Sequence, residues 1–139
     1  MSNLHASRPN RLEIRLRPPQ MLVFTCEKRF RVLVAGRRFG KTYLASIELL
    51  RAASSPGRMV WYLGPTYKQA KRIVWNRLKE LTRPYWKWKP SETDLSITLS
   101  WGSVIALRGA DQYDSLRGDG LDFVVPCTQP AGRKCSGPR

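Results

Sequence analysis

The sequence predicts an α/β fold, a mainly parallel sheet flanked by helices, on three observations. Two short apolar runs, Arg31-Val-Leu-Val-Ala-Gly36 and Arg58-Met-Val-Trp-Tyr-Leu63, have the unbroken hydrophobicity of strands buried on both faces. A segment with helical spacing lies between them. A third apolar run, Leu121 to Val125, closes the series as another buried strand. Strand, helix and strand in succession imply a right-handed crossover between parallel neighbours. The 139 residues suffice for one domain, and 42% hydrophobic against 25% charged residues exclude wholesale disorder.

Taken in order, residues 1–17 read as a basic arm carrying Arg8, Arg11, Arg15 and Arg17. Pro9, Pro18 and Pro19 block any long helix there, so the arm is expected to stay extended through residue 20. The strand at 31–36 feeds a glycine-containing turn, and a helix is expected from Lys41 to Ala53, stopped by Ser54-Ser55-Pro56-Gly57. The strand at 58–63 is closed by Gly64-Pro65. From Thr66 to Arg83 the apolar residues Ala70, Ile73, Val74, Leu78 and Leu81 recur at helical spacing, and Lys68, Lys71, Arg72 and Lys79 mostly take the other face. Thr66 suits an N-cap and Pro84 a stop. Leu95–Ser100 and Ser103–Leu107 alternate in polarity around Trp101-Gly102, which predicts a β-hairpin inserted in the domain. Residues 126–139 hold three Pro, two Gly and no periodic apolar residue, and are expected to form a disordered tail.

The charge is the outlier. Lys and Arg number 25 against 10 Asp and Glu, a net +15. Such a balance favours a polyanion as partner, nucleic acid or nucleotide, because each phosphate neutralised releases counterions. The basic excess is local: residues 28–90 contain only Glu48 and Glu80 as acids, whereas 91–125 contain only Arg108 and Arg117 as bases. Cys26, Cys127 and Cys135 form no C-x-x-C pair, so neither a disulfide framework nor a zinc site is indicated and a reducing cytoplasm fits. His5 stands alone in the polar leader, too little for a histidine-based catalytic centre. No apolar run approaches the roughly 20 residues that span a bilayer, so no membrane partner is expected.

The sharpest motif is Ala35-Gly36-Arg37-Arg38-Phe39-Gly40-Lys41-Thr42, placed between a strand-like run and a helix. It matches G-x-x-x-x-G-K-[ST] except that Ala35 replaces the first glycine. Such a turn presents successive backbone N–H groups to a phosphate, Gly40 avoids a side chain where it would collide, and the following helix adds its positive end. Lys41 is placed to reach the β- and γ-phosphates, and the Thr42 hydroxyl to ligate Mg²⁺. Arg37 and Arg38 supply either a transition-state contact to the γ-phosphate or general positive charge.

AGRRFGKT, followed by WYLGPTYKQAKRIVWNRLKEL and WGSVIALRGADQYDSLRGDGLDFVV, resembles the ATPase domain of the terminase large subunit of tailed bacteriophages, over roughly Pro18 to Val125. The resemblance implies a P-loop NTPase-like domain at 18–125. It also implies ATP and Mg²⁺ as cofactors and a motor that packages double-stranded DNA into a procapsid. The motor would work as a ring on a portal protein with a small terminase subunit, in the cytoplasm of a bacterial host from a phage or prophage gene. By the same resemblance Lys41 and Thr42 are the Walker A pair and Arg37 is the arginine within that loop. Gln20, in Pro18-Pro19-Gln20, resembles the family's adenine-contacting glutamine and reads otherwise as a plain turn residue; Gly64-Pro65-Thr66-Tyr67 resembles the family segment near substrate, although a capped helix start explains Thr66 equally well.

The departure from that pattern is at Leu121–Val125. In the family this strand runs into an Asp-Glu pair that holds Mg²⁺ and orients the attacking water; here Pro126-Cys127-Thr128-Gln129 follows. Asp119 and Asp122 precede the strand, at the wrong end for a metal ligand of a parallel sheet. The domain is therefore expected to be incomplete, with nucleotide binding retained and hydrolysis poor. A second reading is a basic nucleic-acid module without nucleotide hydrolysis, using the basic helix face and Trp86 and Trp88 between Lys87 and Lys89. Those tryptophans serve equally as core residues beside solvated lysines.

Overall fold

Strand β1 (Met59–Gly64) is the spine of a four-stranded sheet ordered β2-β3-β1-β4. The computed structural model describes residues 14–118 and 120–127. Strand β3 (Val104–Gly109) lies parallel to β1 over six residues from Met59↔Val104 to Gly64↔Gly109. On the other side β4 (Phe123–Pro126) is also parallel, with Val60 opposite Phe123 and Leu63 opposite Pro126. Strand β2 (Ser96–Thr98) pairs antiparallel with β3 as the first arm of the hairpin, and Gly102 turns the chain at φ +87°. The hairpin is therefore an integral part of the sheet, since its second arm supplies β1 with a parallel neighbour.

The helices follow from capping and spacing. Helix α1 (Pro18–Thr25) departs from the extended arm expected through residue 20. Pro18 and Pro19 occupy its first positions, where a missing N–H costs nothing, and the Gln20 side chain accepts from the Arg17 amide at 3.0 Å. Helix α2 (Lys41–Ala52) forms as its spacing predicts. The helix after β1 opens with Thr66 Oγ1 accepting from the Gln69 amide, runs as α3 (Tyr67–Ala70), widens into a π-helical turn (Lys71–Trp75) and continues as α4 (Asn76–Thr82). The wider turn brings the consecutive residues Val74 and Trp75 both inward. This composite helix is the crossover between the parallel pair β1 and β3.

The core lies on one face of the sheet. Leu49 from α2, Ala53 at its C-cap, and Ala70, Val74, Trp75 and Leu78 from the composite helix pack on Val60, Tyr62, Ile97, Ile105 and Leu107. Each fully buried aliphatic side chain contributes about 1.5–3 kcal/mol. On the opposite face Trp61 lies under the Arg108 guanidinium at 5.6 Å, and its indole N–H finds no acceptor among the described residues.

Two strand expectations are corrected. Residues 31–36 belong to no strand: Val32 and Val34 are each 92% exposed. An apolar run records the capacity to pair, but a ladder also needs a neighbour in register, and no described strand lies against this segment. The run at 121–125 is paired only from Phe123 and only along one side, so Val124 is 38% exposed at the sheet edge. Pro126 falls within β4, where an edge tolerates proline, and the Cys127 amide donates to Leu63 O at 2.8 Å. The described residues thus include the first two residues expected in the tail; residues 128–139, like 1–13, lie outside the described residues.

Candidate functional site

The loop between residue 35 and α2 turns through two left-handed positions, Arg38 at φ +64° and Gly40 at φ +84°. Gly40 is the N-cap of α2, and no side chain caps that helix. Its first-turn N–H groups therefore point back at the loop with the positive end of the helix dipole behind them. Lys41 folds across the neck of the loop, its ammonium donating to Ala35 O at 2.6 Å and Gly36 O at 3.0 Å. Thr42 follows in the first turn, its carbonyl accepting from Ser46 Oγ at 2.8 Å. Arg37 and Arg38 are exposed, whereas Phe39 is half-buried.

Gln20 is buried against this loop. Its Nε2 donates to Phe39 O at 2.8 Å and, more weakly, to Gly40 O at 3.5 Å. A Cβ on Gly40 would stand 2.5 Å from that nitrogen and displace the Gln20 amide, and the left-handed backbone angle itself favours glycine there. Arg17 adds a second clasp: its Nη2 donates to Arg38 O at 2.9 Å and to Phe39 O. The structure thus brings Gln20, Ala35, Gly36, Phe39, Gly40 and Lys41 together, while the Arg37 and Arg38 side chains stand outside that cluster.

Sequence reasoning missed two residues that hold the site. Arg17 falls in the basic arm by composition, although the Pro-Pro pair after it marks a helix start. Arg31 opens the apolar run that predicts a strand. Its guanidinium pairs with Glu48 on α2 at 2.8 and 3.0 Å and donates to Val23 O at 2.9 Å, tying α1, the extended segment and α2 together. The same pairing with Glu48 raises the Arg31 pKa from its ordinary value. An acid inside an otherwise basic helix was the available signal.

At the carboxyl end of β4 the chain places Pro126 and Cys127. The Tyr62 hydroxyl is held neutral there, its pKa pushed up by burial and by the neighbouring Cys127 thiol. Among the described residues no group of three or more His, Cys, Asp or Glu could hold a metal. Asp122 closes the opposite end of the strand pair, its Oδ2 accepting from the Met59 amide at 2.9 Å; Asp119 lies outside the described residues.

These donors fit a polyphosphate. An uncapped helix start, a left-handed glycine and an ammonium within the loop all supply N–H or positive charge, and none supplies a carboxylate. They fit Mg²⁺ only as part of a nucleotide complex: Thr42 could give one hydroxyl, and phosphate oxygens and water would have to complete the octahedron.

Basic side chains gather at a second place. Lys68, Lys71 and Arg72 line an open cavity of about 390 Å³ with Trp75 and Asn76. Glu92 pairs with Lys71 at 3.7 Å and accepts from Lys79 Nζ at 2.7 Å and Trp75 Nε1 at 2.8 Å, hydrogen bonds that lower its pKa. The two tryptophans beyond α4 divide: Trp86 packs on the core with its indole donating to Thr82 Oγ1 at 2.9 Å, whereas Trp88 is 57% exposed beside Lys87.

The model of the family described as "Terminase large subunit, T4likevirus-type, N-terminal" matches residues 32–125, most of the chain. The chain belongs to the terminase large subunit family. It is 26% identical over 126 residues to the terminase large subunit of Thermus phage G20c, covering 76% of this chain and 26% of that protein. Against the terminase large subunit of Escherichia phage T5 the identity is 30% over 99 residues, covering 70% of this chain and 22% of that protein. The solved ATPase domain of the Thermus phage P74-26 large terminase superposes with a TM-score of 0.66 at 26% identity, covering 77% of this chain and 51% of that one. The chain thus spans about a quarter of the length of the terminases it matches and about half of the solved ATPase domain. Its fold is that of a terminase ATPase domain, α/β with a mixed, mainly parallel sheet and flanking helices.

Proposed function

We propose that this chain binds the phosphates of Mg·ATP at Ala35–Thr42 and is a nucleotide-binding element of a DNA-packaging motor. The observation that carries the reading is the start of α2: a left-handed Gly40 leads into a helix without a side-chain cap, with the Lys41 ammonium lying across the loop. Lys41 would exchange the carbonyls of Ala35 and Gly36 for phosphate oxygens, the N–H groups after Gly40 would hold the same phosphates, and the Thr42 hydroxyl would be the chain's ligand to magnesium. Gln20 gives up one of its loop bonds if it reads adenine. Arg37, exposed at the mouth of the loop, is free to approach a γ-phosphate of its own or of a neighbouring subunit.

Hydrolysis is slow in this reading. Orienting the attacking water calls for a carboxylate at the carboxyl end of β4, and Pro126 and Cys127 stand there beside a neutral Tyr62. Double-stranded DNA, a portal protein, a small terminase subunit and a ring of copies are the partners proposed from family membership. The cavity lined by Lys68, Lys71 and Arg72 is the surface that best suits DNA phosphates. No helix among the described residues is long and apolar enough to cross a membrane.

Calorimetric titration of Mg·ATP into the wild type and Lys41→Ala tests the proposal. We expect the substitution to weaken binding at least tenfold with little turnover in either protein; equal affinities overturn it. The basic cavity also favours a nucleic-acid module without nucleotide chemistry. Salt-dependent DNA binding that ignores ATP and survives Lys41→Ala would support that reading instead.

A further inference from the structure

The phosphate loop has a second layer of support. Arg17 is exposed and sits just before α1, yet its guanidinium reaches the carbonyl oxygens of Arg38 and Phe39 and lies 6.0 Å from the centre of the Phe39 ring. Its own amide donates to Gln20 Oε1 at 3.0 Å, and Gln20 Nε2 donates to the same Phe39 oxygen at 2.8 Å. Two side chains from one helix start therefore grip one short stretch of loop backbone from the same side.

The consequence follows from peptide geometry. In a trans peptide the C=O and the N–H of the next residue point in opposite directions, and no cis peptide is present among the described residues. Pulling the Arg38 and Phe39 oxygens toward Arg17 and Gln20 turns the N–H groups of Phe39 and Gly40 to the opposite side. The loop also contains a left-handed non-glycine residue, Arg38 at φ +64°, a conformation that persists only where surrounding contacts over-determine it. The Arg17 bond to Arg38 O is such a contact, made at the strained residue itself.

We propose that Arg17 is a positioning residue of the nucleotide site, holding the Arg38–Phe39–Gly40 backbone so that its amides face the phosphates. This role rests on the reading of the loop as a phosphate cradle. It acts on the phosphate end of a ligand alone, which separates it from a base-reading role and from a purely structural one. Both bonds come from one nitrogen, Nη2, and what lysine lacks is the planar guanidinium that reaches these oxygens while lying near the Phe39 ring, so lysine is an imperfect replacement.

The test measures binding of Mg·ATP, Mg·triphosphate and adenosine by calorimetry to the wild type, Arg17→Ala, Arg17→Lys and Lys41→Ala, with thermal melts alongside. For Arg17→Ala we expect ATP and triphosphate to weaken by the same factor, about tenfold. Adenosine affinity and melting temperature should not change, and Arg17→Lys should fall between alanine and the wild type. A tenfold loss in Lys41→Ala with unchanged triphosphate binding in both Arg17 variants overturns the Arg17 role and leaves the cradle standing. Equal triphosphate affinity of the wild type and Lys41→Ala overturns the cradle, and this role with it. An ATP-only loss in the Arg17 variants, with triphosphate unaffected, also overturns it.

Discussion

Residues 59–109 and residues 14–42 are held together by different forces. In the first region β1 and β3 share a continuous parallel ladder, and Val60, Ile105, Leu107, Val74 and Leu78 are fully buried. In the second, Phe30, Val32 and Val34 are exposed, and the chain is fixed by side chains reaching backbone or one another: Arg17 and Gln20 on the loop, Lys41 on its neck, Arg31 on Glu48. A ladder with apolar packing resists change, because each part is lost only with its neighbours. A set of donor clasps can be exchanged singly for a ligand's oxygens. The scaffold and the proposed ligand-binding part of this terminase-family chain thus divide along the sequence.

Substitutions can break or sharpen that division. The largest effect is expected for Leu107→Ala, which opens a cavity between the sheet and the composite helix and should cost about 2–5 kcal/mol in urea unfolding. Arg31→Ala comes next, since it strands the largely buried Glu48 carboxylate; about 2–3 kcal/mol is expected, and the isosteric double variant with Glu48→Gln should recover part of it. A loss as large as that of Leu107→Ala would show that polar clasps carry the same weight as the core.

Glu92→Gln should cost below about 1 kcal/mol near neutral pH, because its pairs with Lys79 and Lys71 are half exposed. Lys79 and Trp75 lower its folded-state pKa, so the contribution is complete above the unfolded value and is lost as pH falls through the folded one. The wild-type and Glu92→Gln urea midpoints should therefore converge on acidification. The smallest effect is expected for Val32→Ser, within about 0.5 kcal/mol, because the side chain is already in water. A large loss there would reveal a buried partner for the 31–36 segment and erase the contrast between the two regions.

Local chemistry made much of this legible. Helical spacing placed α2, Thr66 capped the composite helix as its residue type suggests, and alternation around Trp101-Gly102 located the hairpin. The turn proposed to hold a phosphate has local features that the sequence made legible: a left-handed glycine, a helix start and a lysine one residue on. Arg17 and Arg31 were not, since their partners lie 21 and 17 residues away, and the Pro-Pro pair and the lone acid of α2 mark an element without naming the residue it meets.

The sequence by itself determined which segments are apolar, where a glycine turn leads into a helix start and that the chain carries an overall charge of +15, because these depend on residue type and short-range geometry. Only the tertiary structure decided that the 31–36 run stays outside the ladder, that β4 forms an edge, and that Arg17 and Gln20 grip the loop. Strand pairing and side-chain clasps depend on which distant groups meet in space, and an apolar run or an arginine carries no record of its eventual neighbour.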